Sequence, residues 1–276
     1  MSLQTLYDGI ANNYDIANRF GSITHSHDCA IKQLNQSELK QKHKHKILDL
    51  GVGDGNFLHR LQHHMPLADF TGFDISQKML DVASRQCEGL NTIMASGADA
   101  SQYLPVHSQD LILMHFISAY IPLDLLFKQV QVLTRPNGFV SIITSTYESF
   151  PTGQAHLAQF IAEDTLLSCI VGHYYKTVIK NTTVATGSKE LLETIKRHQF
   201  EVVEHQHLAI PITFNNVDEL IEFGFDGTWL LNGLEFSFLP HGFLKKRIKK
   251  VFNKIFTFPY SDNHVIDVVL ARKIDA

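Results

Sequence analysis

The sequence of 276 residues has few cysteines and lacks a long uninterrupted apolar run. Its three cysteines, Cys29, Cys87 and Cys169, are far apart and form no CxxC pair, which excludes a disulfide-stapled scaffold and favours a reducing compartment. The most apolar window, 111–127, contains a histidine, a proline and an aspartate and is shorter than the roughly 20 apolar residues of a spanning helix. The N-terminal segment lacks the basic-then-apolar order of a signal peptide. We therefore expect a cytoplasmic protein without a transmembrane segment.

Internal repeats and low-complexity tracts are also missing. The formal net charge of -4 argues against a globally basic nucleic-acid binder. A hydrophobic content of 44% is typical of a globular chain with a sizeable core. We expect one elaborated α/β domain rather than several small ones.

Short apolar runs alternate with helical patterns from residue 46 onward, which is typical of βαβ units and a mostly parallel sheet. The runs predicted as strands are 46–50, 69–74, 91–96, 110–115, 139–146, 200–207 and 264–271. Residues 147–187 show no strand pattern and predict a helical insertion near the active face. The stretch of about 55 residues between the last two strands is too long for a hairpin loop and predicts a cap at 208–262.

A glycine-rich loop follows the first predicted strand. Gly51, Gly53 and Gly55 form GxGxG at a strand-to-helix turn, where a ligand can approach the backbone and the helix N-terminus. Asp74 ends the second strand, where a carboxylate can accept hydrogen bonds from both ribose hydroxyls. A dinucleotide fingerprint would need glycine at Asn56, so the pattern indicates a nucleotide-type cofactor but disfavours NAD.

Several motifs recur in order along the chain: the segments 47–55, 72–76, 97–100, 109–112 and 133–138, with an N-terminal pattern at 7–15 and a cap segment at 217–223. In this order they resemble the class I S-adenosylmethionine-dependent methyltransferases. Within that class, the chain is most similar to the small-molecule enzymes of ubiquinone and menaquinone biosynthesis. The resemblance implies a doubly wound, Rossmann-like α/β fold with a seven-stranded sheet, mostly parallel with the last strand antiparallel, and a mainly helical cap. The binding domain would comprise 1–146 and 188–276, with N-terminal lid helices over about 1–35.

The resemblance also assigns cofactor-binding roles to residues along the first βα units and on the lid. These are Asp49 with Gly51, Gly53 and Gly55 for the methionine part, Asp74 for the ribose, Ile75 and Met79 for the adenine rings, Ala98, Asp99 and Ala100 for the adenine amino group and its pocket, His115 beside the methyl donor, and Tyr14 closing over the cofactor. The implied cofactor is S-adenosyl-L-methionine and its product S-adenosyl-L-homocysteine.

Catalytic candidates are less well defined than the cofactor residues. His115 and Tyr14 are the first choices, and the further candidates for a general base are His25, His27, Tyr120, Tyr174 and Tyr175. The motif of methyltransferases that act on exocyclic base amines is missing, which argues against nucleic acid as the acceptor. The aromatic side chains of the cap favour a small, partly hydrophobic acceptor; they are Phe214, Phe223, Phe225, Trp229, Phe236 and Phe238. Methylation at oxygen, nitrogen or carbon stays open, as does the oligomeric state, and the alternative is a non-catalytic cofactor-binding protein whose cap holds a partner.

Two further patterns concern metals and membranes. The sixteen histidines include His205 and His207, which share one strand face, but no carboxylate or cysteine accompanies them at ligand spacing, so we expect no required metal. Residues 243–256 form a basic amphipathic helix. This helix fits peripheral contact with an anionic membrane, contact with RNA, or simple packing of its apolar stripe within the cap.

Overall fold

The computed structural model describes residues 2–15, 19–39, 44–163, 165–226 and 241–274. Its strands are β1 (Lys46–Asp49), β2 (Asp69–Asp74), β3 (Asn91–Met94), β4 (Gln109–His115), β5 (Thr134–Ser145), β6 (Phe200–Phe214) and β7 (Tyr260–Lys273). Its helices are α1 (Leu3–Ile10), α2 (Gly21–Gln36), α3 (Asn56–His64), α4 (Gln77–Gln86), α5 (Leu123–Leu133), α6 (Pro151–Ile161), α7 (Leu166–Asn181), α8 (Ser188–Arg197), α9 (Val217–Asp226) and α10 (His241–Ile255), with short 3₁₀ turns at Ala11–Asn13, Gly97–Gln102 and Ile117–Ala119.

The strands form one seven-stranded sheet in the order β3-β2-β1-β4-β5-β7-β6. The first five strands are parallel, and β7 lies antiparallel between β5 and β6. Helices cover both faces: α2, α3 and α4 bury Leu34, Leu58 and Leu80 on one side, whereas α5 and α8 bury Leu126 and Leu191 on the other. The doubly wound fold expected from the sequence is confirmed.

Three strands extend by more than one residue beyond their predicted bounds. β5 begins at Thr134, which pairs with Gln109 ahead of a bulge, although the turn expected at 136–138 is still visible in the positive φ of Asn137. β6 and β7 pair from Phe200 to Phe214 because each supplies the other's backbone hydrogen bonds beyond the body of the sheet. The cap segment between these two strands therefore begins after Phe214 and ends before Tyr260, so it is shorter at both ends than the predicted 208–262.

The cap is built from helices that pack on the N-terminal segment. Leu6 of α1 and Ile221 of α9 share an apolar cluster with Ile248 and Phe252 of α10. The apolar stripe of the basic helix is thus used inside the protein, and Lys249 on its polar face pairs with Asp218 of α9. Three of the aromatic cap positions named above, residues 229, 236 and 238, lie outside the described residues.

None of the helices in the described ranges is long and apolar enough to cross a bilayer.

Candidate active site

A cavity of about 340 Å³ lies at the carboxyl ends of β1, β2 and β4. β1 and β4 are the neighbours at which the strand order reverses, and α/β proteins bind ligands at this switch point. The volume falls within the range of small-molecule and cofactor sites. Its wall includes Tyr14, Asp49, Asp74, Ile75 and His115, five of the residues that the sequence nominated.

The glycine loop holds the carboxylate at the end of β2. Gly53 has a φ of 54°, a backbone conformation that favours glycine, and its N–H donates to Asp74 Oδ2 at 3.0 Å. The Ser76 N–H donates to Asp74 Oδ1 at 2.8 Å. Gly51 and Gly53 both line the cavity. Two backbone donors from different segments thus fix Asp74 at the cavity wall.

Asp49, at the end of β1, is the second carboxyl of the site; it is buried and accepts a hydrogen bond from the Gly51 N–H at 3.1 Å. Burial raises the pKa of Asp49 to about 7, opposed by the Gly51 N–H and reinforced by the charge of Asp74. Burial also raises the pKa of Asp74 to about 6, against the hydrogen bonds from Ser76 and Gly53. Both carboxylates would be stabilised by a ligand that brings hydroxyl donors or a positive charge.

An aromatic wall closes the cavity on the side of the N-terminal segment. Tyr14 lines the cavity, and the Tyr7 ring lies between Tyr14 and Tyr120, at centroid distances of 6.4 Å and 5.9 Å. Burial, and secondarily the charge of Asp54, raises the pKa of Tyr14 well above its usual value, so its hydroxyl keeps its proton. Tyr7 was not nominated from the sequence, although it stands in the N-terminal motif at 7–15 that carried the resemblance.

His115, at the end of β4, forms the floor beside two aromatic rings. Its Nε2 lies 3.0 Å from Ser141 Oγ, and its buried Nδ1 has no hydrogen-bond partner among the described residues. The Phe57 ring lies 4.3 Å away and His27 of α2 lies 6.3 Å away, centroid to centroid. Burial lowers the pKa of His115 well below its usual value and that of His27 to about 3, so both rings are neutral at physiological pH.

Five nominated residues lie outside the cavity lining. Gly55 has a φ of 81° and packs so closely on α4 that a Cβ would lie 2.9 Å from Ala83 Cα. Met79 and Ala100 are fully buried, Ala98 is half-buried, and Asp99 is exposed and accepts from the Gln102 amide. Their roles toward a cofactor stay predictions.

Residues around the start of the predicted segment 97–100 line the cavity instead. They are Ala95, Ser96 and Gly97, where β3 leads into the following 3₁₀ turn, together with Ile117 beyond β4. Sequence reasoning missed Ser96 and Ile117. The motif at 97–100 directly follows Ser96 in the chain, but only the geometry of the turn shows which residues of this region face the cavity.

A second cavity of about 300 Å³ lies under the cap and adjoins the first. The two cavities share Phe116, Ala119 and Tyr120, which follow β4. The second is walled by side chains from β5, α6, α7 and the cap, including Tyr147, Phe150, Leu157, Tyr175, Phe223 and Phe256. Among the described residues that line it, none carries a charged side chain.

Residues 47–138 match the family model described as a methyltransferase domain. The matched segment amounts to a third of this chain. It contains β1 to β4, the glycine loop, Asp74 and His115, so the family resemblance expected from the sequence is confirmed.

The chain is similar to two curated methyltransferases. It is 28% identical over 177 residues to a malonyl-[acyl-carrier protein] O-methyltransferase of Marinomonas sp. (strain MWYL1), covering 59% of this chain and 62% of that one. It is 31% identical over 81 residues to a demethylmenaquinone methyltransferase of Thermotoga maritima, covering 29% of this chain and 34% of that one. The alignments thus span less than two thirds of either relative.

The fold is also similar to that of geranyl diphosphate C-methyltransferase from Streptomyces coelicolor A3(2), solved in complex with Mg²⁺, geranyl diphosphate and S-adenosyl-L-homocysteine. The identity is 11%, the TM-score is 0.52, and the match covers 91% of this chain and 78% of that one.

Proposed function

We propose that this chain is an S-adenosylmethionine-dependent methyltransferase that acts on a small, apolar and uncharged acceptor. The observation that carries the proposal is the pair of adjoining cavities, one lined by buried carboxylates and the other without a charged side chain in its described lining. A cofactor in the first cavity and an acceptor in the second would meet at Phe116, Ala119 and Tyr120. Whether oxygen, nitrogen or carbon receives the methyl group stays open.

The side chains of the first cavity fit the cofactor chemically. Asp74 would accept hydrogen bonds from the ribose hydroxyls, and Asp49 would face the ammonium of the methionine part, which favours the ionised form of a carboxyl whose pKa is about 7. When bound, the cofactor supplies a methyl group on a sulfonium that is already a good leaving group. Tyr7 and Tyr14 on the N-terminal segment would exclude water from the reacting atoms.

His115 and Tyr14 act, in this proposal, by positioning and hydrogen bonding. Tyr14 keeps its proton because its pKa is raised, and it is therefore a donor. His115 is neutral and its Nδ1 has no partner within the described ranges, but its lowered pKa makes it a weak base. Catalysis would rest mainly on alignment and desolvation, which suits acceptors that need no strong base.

The second cavity restricts the acceptor. A diphosphate such as that of geranyl diphosphate needs cations, and the described lining of this cavity offers neither a cationic side chain nor a carboxylate for a bridging metal. Phe252 and Phe256 of the basic helical segment belong to this lining. The helix therefore serves the acceptor cavity in this proposal, and we expect no binding of the protein to anionic vesicles in a co-sedimentation assay.

Two measurements test the proposal. Calorimetric titration with S-adenosylmethionine, S-adenosylhomocysteine and NAD should show micromolar binding of the first two alone. Release of S-adenosylhomocysteine is then followed with a panel of matched neutral and anionic aromatic or aliphatic acceptors, of which the neutral ones should turn over. Cofactor binding without turnover of any neutral acceptor would favour the non-catalytic alternative.

A pair of variants on α6 tests the acceptor cavity. Leu157→Lys places a charge in the cavity, whereas Gln159→Lys places the same charge on the exposed side of the helix. We expect the first variant to raise the acceptor KM at least about 10-fold, because an unpaired charge in an apolar pocket is unfavourable, with cofactor affinity unchanged. Equal KM values in the two variants would place the acceptor elsewhere.

A further inference from the structure

A cluster of metal-ligating side chains lies on the sheet face that carries α8, outside both cavities. Asp267 of β7 stands directly opposite His207 of β6 in the strand register. Glu148, in the turn after β5, completes the group: one ligand atom from each of the three side chains lies within 4.8 Å of the others. Chain spacing did not reveal this cluster, because its members are 59 and 60 residues apart.

Asp267 is fully buried, and its two oxygens differ sharply. Oδ1 is 2.7 Å from His205 Nε2, 3.1 Å from His207 Nδ1 and 2.8 Å from the Ser188 hydroxyl, which donates to it. Oδ2 is buried and has no hydrogen-bond partner in the described part of the chain. A buried carboxylate oxygen without a donor is unfavourable, and a cation would satisfy it.

The surroundings of the cluster admit a ligand. Gly187, which precedes α8, lies so close to Glu148 that a Cβ there would be 2.7 Å from Glu148 Oε1. Glycine at this position thus lets the carboxylate approach the sheet. Glu148 and His207 are exposed, so an ion could enter from solvent and keep a water molecule.

We propose that Asp267, Glu148 and His207 bind a divalent transition-metal ion, with Zn²⁺ as the reference ion. Two carboxylates balance its charge, and imidazole with carboxylate oxygens is an ordinary zinc ligand set. Ligand atoms around a tetrahedral zinc lie about 3.4 Å apart, given bonds of about 2.1 Å, so the three side chains, whose ligand atoms lie within 4.8 Å of one another, would close in slightly on binding. His205 and Ser188 would orient Asp267 through its Oδ1 oxygen.

The ion would join the β6–β7 pair to the turn after β5. Thr146 and Tyr147 of that segment line the apolar cavity, so the site would brace one wall of it without touching either reacting partner. This inference does not depend on the proposed methyl transfer, because its readouts are metal affinity and thermal stability.

The test is a titration of the chelator-treated protein with ZnCl₂, followed by calorimetry and by the melting temperature. We expect one Zn²⁺ per chain at micromolar concentration or tighter and a higher melting temperature. Glu148→Gln and His207→Gln should each weaken binding on the order of 100-fold. Glu193→Gln, the same change on the exposed side of α8, is the control and should bind as the original chain does.

Asp267→Asn is the sharpest variant, because it removes the charge at nearly constant shape, but a buried change can impair folding. Its zinc affinity is interpreted only if far-UV circular dichroism shows that the variant folds. Glu148→Gln and His207→Gln, which change exposed side chains, test the site whether or not Asp267→Asn folds. The proposal is overturned if the folded chain binds no stoichiometric Zn²⁺, or if Glu148→Gln and His207→Gln bind it unchanged, which would assign the metal to other histidines.

Discussion

The raised pKa of Asp49 predicts that cofactor affinity depends on pH in the neutral range. A carboxyl with a pKa of about 7 is ionised in about nine-tenths of molecules at pH 8 and about one-tenth at pH 6, a 10-fold change. Asp74, with a pKa of about 6, adds a factor of about 2 over the same range. If the bound state requires both carboxylates, affinity should fall about 20-fold from pH 8 to pH 6, or roughly 1.8 kcal/mol.

The direction of this pH dependence follows from the protonation state of Asp49 that binds the ligand. The folded, unliganded protein holds protons on Asp49 near pH 7, and a cationic ligand would expel them, so binding releases protons and weakens as pH falls. Calorimetry of S-adenosylhomocysteine binding at pH 6, 7 and 8, in buffers of different ionisation enthalpy, measures both the affinity and the protons released. At pH 7 the release should be about half a proton from Asp49.

Two controls isolate Asp49. The variant Asp49→Asn cannot ionise at this position and should retain only the approximately 2-fold dependence of Asp74. The ligand 5′-methylthioadenosine carries the ribose and adenine but no amino acid part, and should show the same small dependence with the unaltered chain. A flat affinity from pH 6 to pH 8, or a full slope in Asp49→Asn, would refute the assignment of Asp49 to the ammonium.

Three further predictions concern Asp74, the glycine loop and the buried His264. Asp74→Asn should weaken S-adenosylmethionine binding by about 1.5 to 3 kcal/mol, the scale of a lost charge-assisted hydrogen bond; unchanged calorimetric affinity would remove the ribose from this site. Gly55→Ala should destabilise the fold by about 2 to 5 kcal/mol in urea unfolding, because backbone strain at a φ of 81° adds to the steric clash with Ala83. Gly89 has a φ of 70° but open space around it, so Gly89→Ala should lose only the free energy of the backbone strain. Burial lowers the pKa of His264 to about 3. Above pH 6.5 the ring is neutral in both the folded and the unfolded chain, and stability is unaffected. Below pH 6.5 only the unfolded chain takes up the proton, so the free energy of unfolding falls by about 1.4 kcal/mol per pH unit as the pH falls toward 3. The free energy of unfolding from pH 7 to pH 5 should therefore fall less steeply in His264→Asn, and parallel curves would contradict the assignment.

Local pattern was sufficient for the body of the sheet. The strand at 69–74 has the predicted bounds, and Ser76 caps α4 as its position before the helix suggests, its hydroxyl accepting from the Met79 N–H. These features depend on neighbours in the chain, such as alternating apolar runs, glycines and cap residues. The lengths of β6 and β7 escaped prediction because their outer halves, with their exposed alternate residues, are strands only through pairing with each other.

The sequence by itself thus determined the fold, the glycine loop and the two carboxylates that end β1 and β2, since each is encoded in contiguous residues at a fixed spacing. Only the tertiary structure decided which neighbours of that motif face the cavity, that the described lining of the second cavity carries no charged side chain, and that Asp267 meets His207 and Glu148. The physical reason is that these groupings join residues far apart in the chain. Their proximity follows from strand order, register and burial, none of which a local pattern contains.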